Sequence, residues 1–189
     1  MNEKISLRKA TAHDARFIAE NVLRALHIEE TDDSHIEHLA GISRREDTLY
    51  SWRNATIALY DGVPAGMMVA YDGARYRSMR DITFPMIRIY VGDDYFKMDD
   101  EAAPGEFYLD SLSVLPEFRR KGIASALIQE MFRQRDQAGI PLATIAVDPD
   151  NDTAYRLYTR SGFSRDGQIT VFGTTYDRLV ASSRITLQP

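Results

Sequence analysis

A short basic turn at residues 119–125 contains the side chains whose types and spacing point most directly to chemistry. Arg119, Arg120 and Lys121 precede Gly122, and an apolar helical pattern follows at once. The first turn of a helix offers unpaired backbone N–H groups and a partial positive charge, and a glycine lets an anion approach that backbone. The turn is therefore predicted to bind a pyrophosphate, although the same residues would also suit a charged, solvated helix start.

Two familiar phosphate-binding motifs do not describe this turn. The GxxxxGK[ST] loop of nucleoside triphosphatases is missing from the sequence. A single glycine also falls short of the GxGxxG fingerprint of dinucleotide-binding folds. The turn thus needs a second motif before its ligand can be interpreted.

That second motif runs from Asn151 to Phe163, after the next predicted strand. Ala154, Leu157 and Tyr158 follow one another at i, i+3 and i+4, so they share one face of a helix. The tyrosine is predicted to point inward, beside the end of the preceding strand. Without other information, this pattern would equally suit a core tyrosine with a hydrogen-bonded hydroxyl.

Apolar periodicity predicts the elements that must position these residues. In the first half, Thr11 is expected to cap a helix, with Asp14 as its capping-box partner. The apolar face of that helix comprises Ala15, Ile18, Val22, Leu23 and Leu26. A second helix and a loop are expected in residues 27–48, and a helix followed by a loop in 72–105.

Strands are predicted where apolar residues alternate, and further helices where they recur every three to four residues. The predicted strands are Ile5 to Arg8, Ala55 to Tyr60, Val63 to Tyr71, Phe107 to Val114, Leu142 to Val147, and one or two between Ile169 and Val180. The predicted later helices are Arg120 to Gln137 and Asn151 to Arg160, with Gly162 as the C-terminal cap. This order predicts one α/β (or α+β) domain over residues 1–189.

Composition excludes several classes of protein. Hydrophobic residues make up 44% and charged residues 27% of the 189-residue chain, as in soluble globular proteins. The absence of cysteine excludes disulfides, thiolate metal sites and a cysteine nucleophile. A net charge of −5 disfavours nucleic acid as a partner. Without a signal peptide or a membrane-length apolar run, we expect a cytoplasmic monomer or homodimer with no membrane partner.

Together, the two motifs resemble those of the GCN5-related N-acetyltransferase (GNAT) superfamily. The pattern is R-x-x-G-x-A, with Ser113-Val114 before it and N-x-x-A-x-x-L-Y-x-x-x-G-F after it. The match is strongest over residues 107–163 and places the variable, acceptor-side segments at 27–48 and 72–105. The resemblance implies a mixed central sheet with splayed parallel strands flanked by helices, and acetyl-coenzyme A (acetyl-CoA) as cosubstrate.

The resemblance also implies roles for single residues. In that family, one splayed strand pairs with the pantetheine arm, the glycine turn wraps the pyrophosphate, and a polar residue contacts the arm. The corresponding cofactor-binding residues here are Leu112, Ser113, Val114, Arg119, Arg120, Lys121, Gly122, Ile123, Ala124, Ser125, Asn151 and Tyr158. Tyr158 also matches the tyrosine that often protonates the departing thiolate.

The general base is open at this point. A glutamate that several family members carry on this strand corresponds to Tyr108, yet strand alternation puts Glu106, Tyr108 and Asp110 on one face. Asp110 lies deeper in the strand, where an unpaired carboxylate is costly, so it is our preferred base. Glu106, at the mouth of the strand, is the second candidate, and it also suits a solvated edge.

The predicted reaction is direct attack of a primary amine on acetyl-CoA in a ternary complex. The amine belongs to a small molecule or a peptide, and no metal is expected, since His35 and His38 lack a third ligand. An acyl-CoA-binding sensor on the same fold, and a nucleotide-binding module, are alternatives. Acidic residues in the acceptor-side segments favour a cationic acceptor: Glu29, Glu30, Asp32, Asp33, Asp93, Asp94, Asp99, Asp100 and Glu101.

Overall fold

A seven-stranded sheet forms the centre of the fold in the computed structural model, which describes residues 4–26, 32–91 and 98–182. The strands are β1 (Ile5–Lys9), β2 (Ala55–Tyr60), β3 (Val63–Asp72), β4 (Glu106–Val114), β5 (Leu142–Val147), β6 (Ser164–Val171) and β7 (Thr174–Ser182). Their spatial order is β1-β2-β3-β4-β5-β7-β6. Among the described strands only β4 and β5 pair in parallel, so the predicted mixed sheet is confirmed.

Five α-helices cover the two faces of this sheet within the described ranges. They are α1 (Ala15–Ala25), α2 (Asp33–Arg44), α3 (Tyr76–Val91), α4 (Ile123–Gln137) and α5 (Asp152–Arg160). One core cluster joins α1, α2 and α3 to the sheet, and a second joins α4 and α5 to its other face. None of the described helices is both long and apolar enough to cross a membrane.

Local sequence signals account for several element boundaries. The Thr11 N–H donates to Asp14 Oδ2 at 2.8 Å, which confirms the predicted capping interaction, although a single 3-10 turn precedes α1. In the β2–β3 hairpin, Asp61 and Gly62 both have positive φ (49° and 82°), as a tight two-residue turn requires.

Two predicted boundaries were wrong, and each has a local cause. Leu26 does not lie on the buried face of α1, because the helix ends at Ala25 and Leu26 is 45% exposed. Helix α4 begins at Ile123 rather than at Arg120. Arg120 and Gly122 adopt left-handed backbone conformations with φ of 60° and 92°, which the right-handed α-helix does not accommodate.

Candidate active site

A cleft opens where the two parallel strands separate. Strands β4 and β5 pair at only three positions, the last being Tyr108 opposite Thr144. Both strands continue beyond this point, to Val114 and Val147, but the described ladder contains no further pair between them. A cavity of about 1210 Å³ follows the cleft and is lined by residues of both strands. The predicted splay is therefore confirmed.

An irregularity in β4 lies next to the point of separation. Opposite strand β3, Val69 pairs with Ser111 and Ala70 pairs with Leu109, so Asp110 is an extra residue with no partner. Such a β-bulge bends its strand and re-aims side chains, and bulges are common next to active sites. Asp110, the residue at this bulge, lines the cavity.

The basic turn closes one end of the cavity. Gly122 precedes α4 with no side-chain capping bond, so the first N–H groups of the helix are not covered by a cap. A Cβ atom on Gly122 would meet only Ile5 Cδ1, at 3.8 Å, which leaves room for a ligand to approach. The arrangement suits binding of an anion such as a phosphate group.

All but one of the predicted cofactor-binding residues line this cavity. They are Leu112, Ser113, Val114, Arg119, Arg120, Gly122, Ile123, Ala124, Ser125, Asn151 and Tyr158. Lys121 is the exception, because its ammonium group lies 5.1 Å above the ring of Tyr60. Ser113 Oγ is buried and has no hydrogen-bonding partner among the described residues.

Helix α5 contributes two polar side chains to the cavity. Asn151 Oδ1 accepts a hydrogen bond from the Ala154 N–H at 3.0 Å, so this residue caps the helix. Tyr158 is 6% exposed and packs edge-on against Phe163. Burial raises the pKa of the Tyr158 phenol, so the hydroxyl stays protonated at neutral pH and can donate a hydrogen bond.

The carboxylate of Asp110 lies in the cavity wall among hydroxyl groups. Tyr71 donates to Asp110 Oδ2 at 2.7 Å, and Ser111 donates to Oδ1 at 2.9 Å. Burial raises the pKa of Asp110, whereas these two hydrogen bonds favour the charged form and oppose the increase. Asp110 is therefore oriented by its neighbours and holds a proton at higher pH than an ordinary aspartate.

A second carboxylate, Glu101, lies in the same wall, and the sequence analysis did not assign it to the reaction. It accepts hydrogen bonds from the hydroxyls of Tyr108 (2.9 Å) and Tyr76 (3.2 Å). Burial, and then the charge of Asp110, raise the pKa of Glu101 to about 7. The only sequence signal was an acidic run at 99–101, and such a run is more typical of a solvated loop.

Contacts on both sides anchor the segment that carries Glu101, residues 98–105. The Asp99 N–H donates to Thr170 O at 2.9 Å, and the Thr170 N–H donates to Asp99 Oδ2 at 2.7 Å. Asp100 pairs with Arg77 at 2.6 Å and with Arg80. Strand β6 and helix α3 thus hold the segment between them, and this fixes Glu101 at the cavity.

Glu106, the second candidate base from the sequence, lies elsewhere. Its carboxylate pairs with Arg178 of β7 and accepts a hydrogen bond from the Ala103 N–H at 3.2 Å. Glu106 is not part of the cavity wall. The structure therefore brings Asp110 and Glu101 together at the cavity and separates Glu106 from both.

Comparison with protein families gives one match over most of the chain. The sequence model of the family described as "Acetyltransferase (GNAT) family" matches residues 20–163. This range includes the splayed strands, the basic turn and helix α5.

Solved structures of similar fold cover nearly the whole chain. A crystal structure of an acetyltransferase is 24% identical, with a TM-score of 0.76, and the match covers 94% of this chain and 98% of that chain. An N-acetyltransferase from Staphylococcus aureus Mu50 is 20% identical, with a TM-score of 0.76 and coverage of 93% and 100%. The PaiA N-acetyltransferase from Thermoplasma acidophilum, in complex with coenzyme A, is 15% identical, with a TM-score of 0.59 and coverage of 94% and 98%.

The raised pKa of Glu101 predicts a specific dependence of stability on pH. The pKa rises on folding from 4.5 to about 7, so the folded protein retains a proton that the unfolded chain releases. The free energy of unfolding therefore falls as pH rises through this range. Replacing Glu101 by Gln removes this loss. Between pH 5 and pH 8, the free energy of unfolding of E101Q should rise by about 1 to 3 kcal/mol relative to that of the wild type, as measured by urea denaturation.

Glu130→Gln provides the control for this measurement. Hydrogen bonds from Arg133 lower the pKa of Glu130 below 4.5, so its stabilising effect is already complete at pH 5. The effect of E130Q on the free energy of unfolding should be the same at pH 5 and pH 8. An E101Q effect that is equally independent of pH would show that Glu101 has an ordinary pKa.

Proposed function

The chain belongs to the Acetyltransferase (GNAT) family, and from this premise we propose that it transfers the acetyl group of acetyl-CoA to a primary amine. The acceptor is an amine of a small molecule or a peptide, and it attacks directly in a ternary complex. The observation that carries the proposal is the cleft itself. Splayed strands, an uncapped basic helix start and the Tyr158 hydroxyl all border one cavity.

The cavity wall offers groups that match each part of the cosubstrate. The turn of Arg119, Arg120 and Gly122 suits the pyrophosphate, because uncovered N–H groups and positive charge occur together there. The edge of β4 between Leu112 and Val114 faces the cleft and suits the amides of the pantetheine arm. The unpartnered Ser113 hydroxyl is a further group that a bound ligand can satisfy.

The reaction needs the protein to accept one proton and to donate another. The nitrogen of the amine forms a bond to the thioester carbon, and the carbon–sulfur bond then breaks. In our proposal, Asp110 accepts the proton that the attacking nitrogen loses, and the Tyr158 hydroxyl protonates the departing thiolate. Backbone N–H groups along β4 would stabilise the oxyanion that forms between these steps.

Asp110, rather than Glu106, is the base in this proposal. Asp110 lines the cavity at the bulge of β4, whereas Glu106 is engaged with Arg178 outside the cavity wall. The raised pKa of Asp110 makes it a stronger proton acceptor than an ordinary aspartate once it is ionised. Its hydrogen bonds from Tyr71 and Ser111 hold the carboxylate in one orientation.

Replacing Gly122 by Glu tests the binding of the pyrophosphate. The new side chain would put bulk and negative charge at the uncovered helix start, so we expect acetyl-CoA affinity to fall at least about 100-fold, by isothermal titration calorimetry. Gly139→Glu is the matched control. Gly139 follows the other end of α4 and also has a positive φ, 67° against 92° for Gly122. A glutamate at position 139 therefore introduces similar backbone strain, but away from the cavity. Equal affinities for the two folded variants would contradict the assignment.

Replacing Tyr158 by Phe tests the proton donor. The ring and its packing on Phe163 are kept, and only the hydroxyl is lost. We expect kcat to fall about 10- to 1,000-fold, the usual contribution of general acid–base assistance, while acetyl-CoA affinity changes only a few-fold. Turnover is measured as free thiol released in the presence of a panel of amines. The control is Tyr155→Phe, on the same helix, which should keep wild-type turnover. Normal turnover in Y158F would instead assign Tyr158 a packing role.

Replacing Asp110 by Asn tests the base. Asparagine keeps the size and can still accept hydrogen bonds, but it cannot take up the proton. We expect kcat to fall about 100-fold or more. In the wild type, kcat should fall with decreasing pH as Asp110 becomes protonated, and this acidic limb should disappear in D110N. A variant with unchanged kcat and a higher KM would instead assign Asp110 to acceptor binding.

The same assays separate an enzyme from a binding protein. A sensor would bind acetyl-CoA and would lose affinity for it when Gly122 is replaced by Glu. It would, however, release no thiol with any amine. Release of thiol that depends on the amine, with formation of the acetylated amine, identifies the enzyme.

A further inference from the structure

The acidic residues on the acceptor side of the fold do not all face the cavity. Glu29, Glu30, Asp93 and Asp94 lie outside the described residues. Four of the others are engaged in local structure: Asp32 caps α2, Asp33 pairs with Arg16, Asp99 binds the Thr170 N–H, and Asp100 pairs with Arg77 and Arg80. Glu101 is the one member of this group, among the described residues, that lines the cavity.

Glu101 has no cationic partner in the described part of the chain. Its two recorded hydrogen bonds come from the neutral hydroxyls of Tyr108 and Tyr76. Among the described residues, Asp110 is likewise bonded only to hydroxyls. A third carboxylate of the wall, Asp148, accepts a hydrogen bond from the Asp150 N–H at 2.9 Å. Two carboxylates that share a cavity repel each other when both are charged, so a cation between or beside them would be strongly favoured.

Tyr50 provides an independent observation at the same place. Tyr50 is only 5% exposed and lines the cavity. Its hydroxyl forms no hydrogen bond with any of the described residues. Tyr50 lines the same cavity as Asp110 and Glu101, and burial followed by the charges of these two carboxylates raises its pKa. The Tyr50 hydroxyl is not one of the fully enclosed groups without a partner, so it is open to the cavity and free to form a hydrogen bond with a ligand.

None of the cationic side chains in the described cavity wall is paired with Glu101 or Asp110. Arg119, Arg120, Arg156 and Arg160 belong to the basic turn and to α5, on the side assigned to the cosubstrate. Arg24 at the end of α1 is hydrogen-bonded to Asn21 at 2.8 Å. The corner around Glu101 therefore combines negative charge with tyrosine rings, which together favour an ammonium group.

We propose that Glu101 and Tyr50 form a subsite for a second, non-reacting cationic group of the acceptor, so that the preferred acceptor is a small aliphatic diamine. This inference rests on the proposed acetyl transfer. The reacting nitrogen attacks as the neutral amine, and Asp110 takes up the proton that this nitrogen loses as the amide forms. An ammonium group held by Glu101 stays protonated, donates to the carboxylate and to the Tyr50 oxygen, and fixes the other end of the molecule near the thioester.

The two carboxylates of this corner define the chemistry of the acceptor. In the proposed reaction Asp110 serves the reacting nitrogen, and Glu101 remains for a cation elsewhere on the same molecule. An unbranched alkyl chain with an amine at each end is the simplest molecule that meets this requirement.

A set of three acceptors of equal length tests the charge preference. 1,4-Diaminobutane, butylamine and 4-aminobutanoate carry a positive, a neutral and a negative group at the far end, and the set is repeated with three- and five-carbon chains. In the wild type, kcat/KM should be about 10- to 100-fold higher for the diamine than for the monoamine, and lowest for the amino acid. The assay follows thiol release and identifies the acetylated product by mass spectrometry.

Variants at the subsite should change the discrimination between these acceptors. In Glu101→Gln, the ratio of kcat/KM for diamine over monoamine should fall to within about threefold. In Tyr50→Phe, the KM for the diamine should rise several-fold while kcat changes less, because the lost hydroxyl only binds. Glu106→Gln removes a carboxylate outside the cavity and should keep the wild-type ratio, which makes it the control.

The outcomes distinguish the inference from the function on which it rests. Amine-dependent thiol release with equal use of diamines and monoamines, or an unchanged ratio in E101Q, would overturn the subsite but keep the acetyltransferase. Acetylation of lysine-containing peptides, with no acetylation of any diamine, would also overturn the subsite. Binding of acetyl-CoA with no thiol release for any amine in the panel would overturn the proposed function itself.

Discussion

The separation of two parallel strands is the constraint on which the site depends. Strands β4 and β5 share three pairs and then diverge, although each continues as a strand. A backbone edge that leaves its partner must find other hydrogen-bonding partners or remain open to solvent. The divergence therefore creates both a cavity and a row of backbone groups facing it. In the proposed reaction the basic turn and Tyr158 act on one ligand, because both line this cleft.

The bulge at Asp110 adds a second consequence to this divergence. One extra residue in β4 shifts the alternation of side chains beyond the bulge, and the carboxylate at the bulge lies in the cavity wall beside buried tyrosines. Buried carboxylates are costly unless they are hydrogen-bonded. Hydroxyl groups from Tyr71 and Tyr108 reduce that cost without neutralising the charge. Burial nevertheless keeps the pKa of both carboxyl groups above its ordinary value.

The two ends of the cavity differ in charge, and this difference fits the reaction that we propose. The turn around Gly122 and helix α5 supply four arginines against one carboxylate, Asp148, which precedes α5, whereas Glu101 and Asp110 supply negative groups. An anionic cosubstrate and a cationic acceptor would thus be drawn to opposite ends of the same cavity. Residues 98–105 maintain this division, because β6 and α3 hold the segment through Asp99 and Asp100.

The sequence by itself determined the order of the elements, apart from a few boundaries, and predicted the residues that we assign to the cofactor. The apolar patterns predicted the strands and helices, and the two motifs predicted the glycine turn and Tyr158, because both depend on contiguous residues whose local geometry follows from type and spacing. The acceptor side was decided by the tertiary structure. Glu101 reaches Tyr108 only because the 98–105 segment is tied to β6 and α3, and Glu106 is drawn away by Arg178, which lies 72 residues later in the chain. Such contacts depend on how distant elements pack, and neither periodicity nor local spacing in one sequence encodes them.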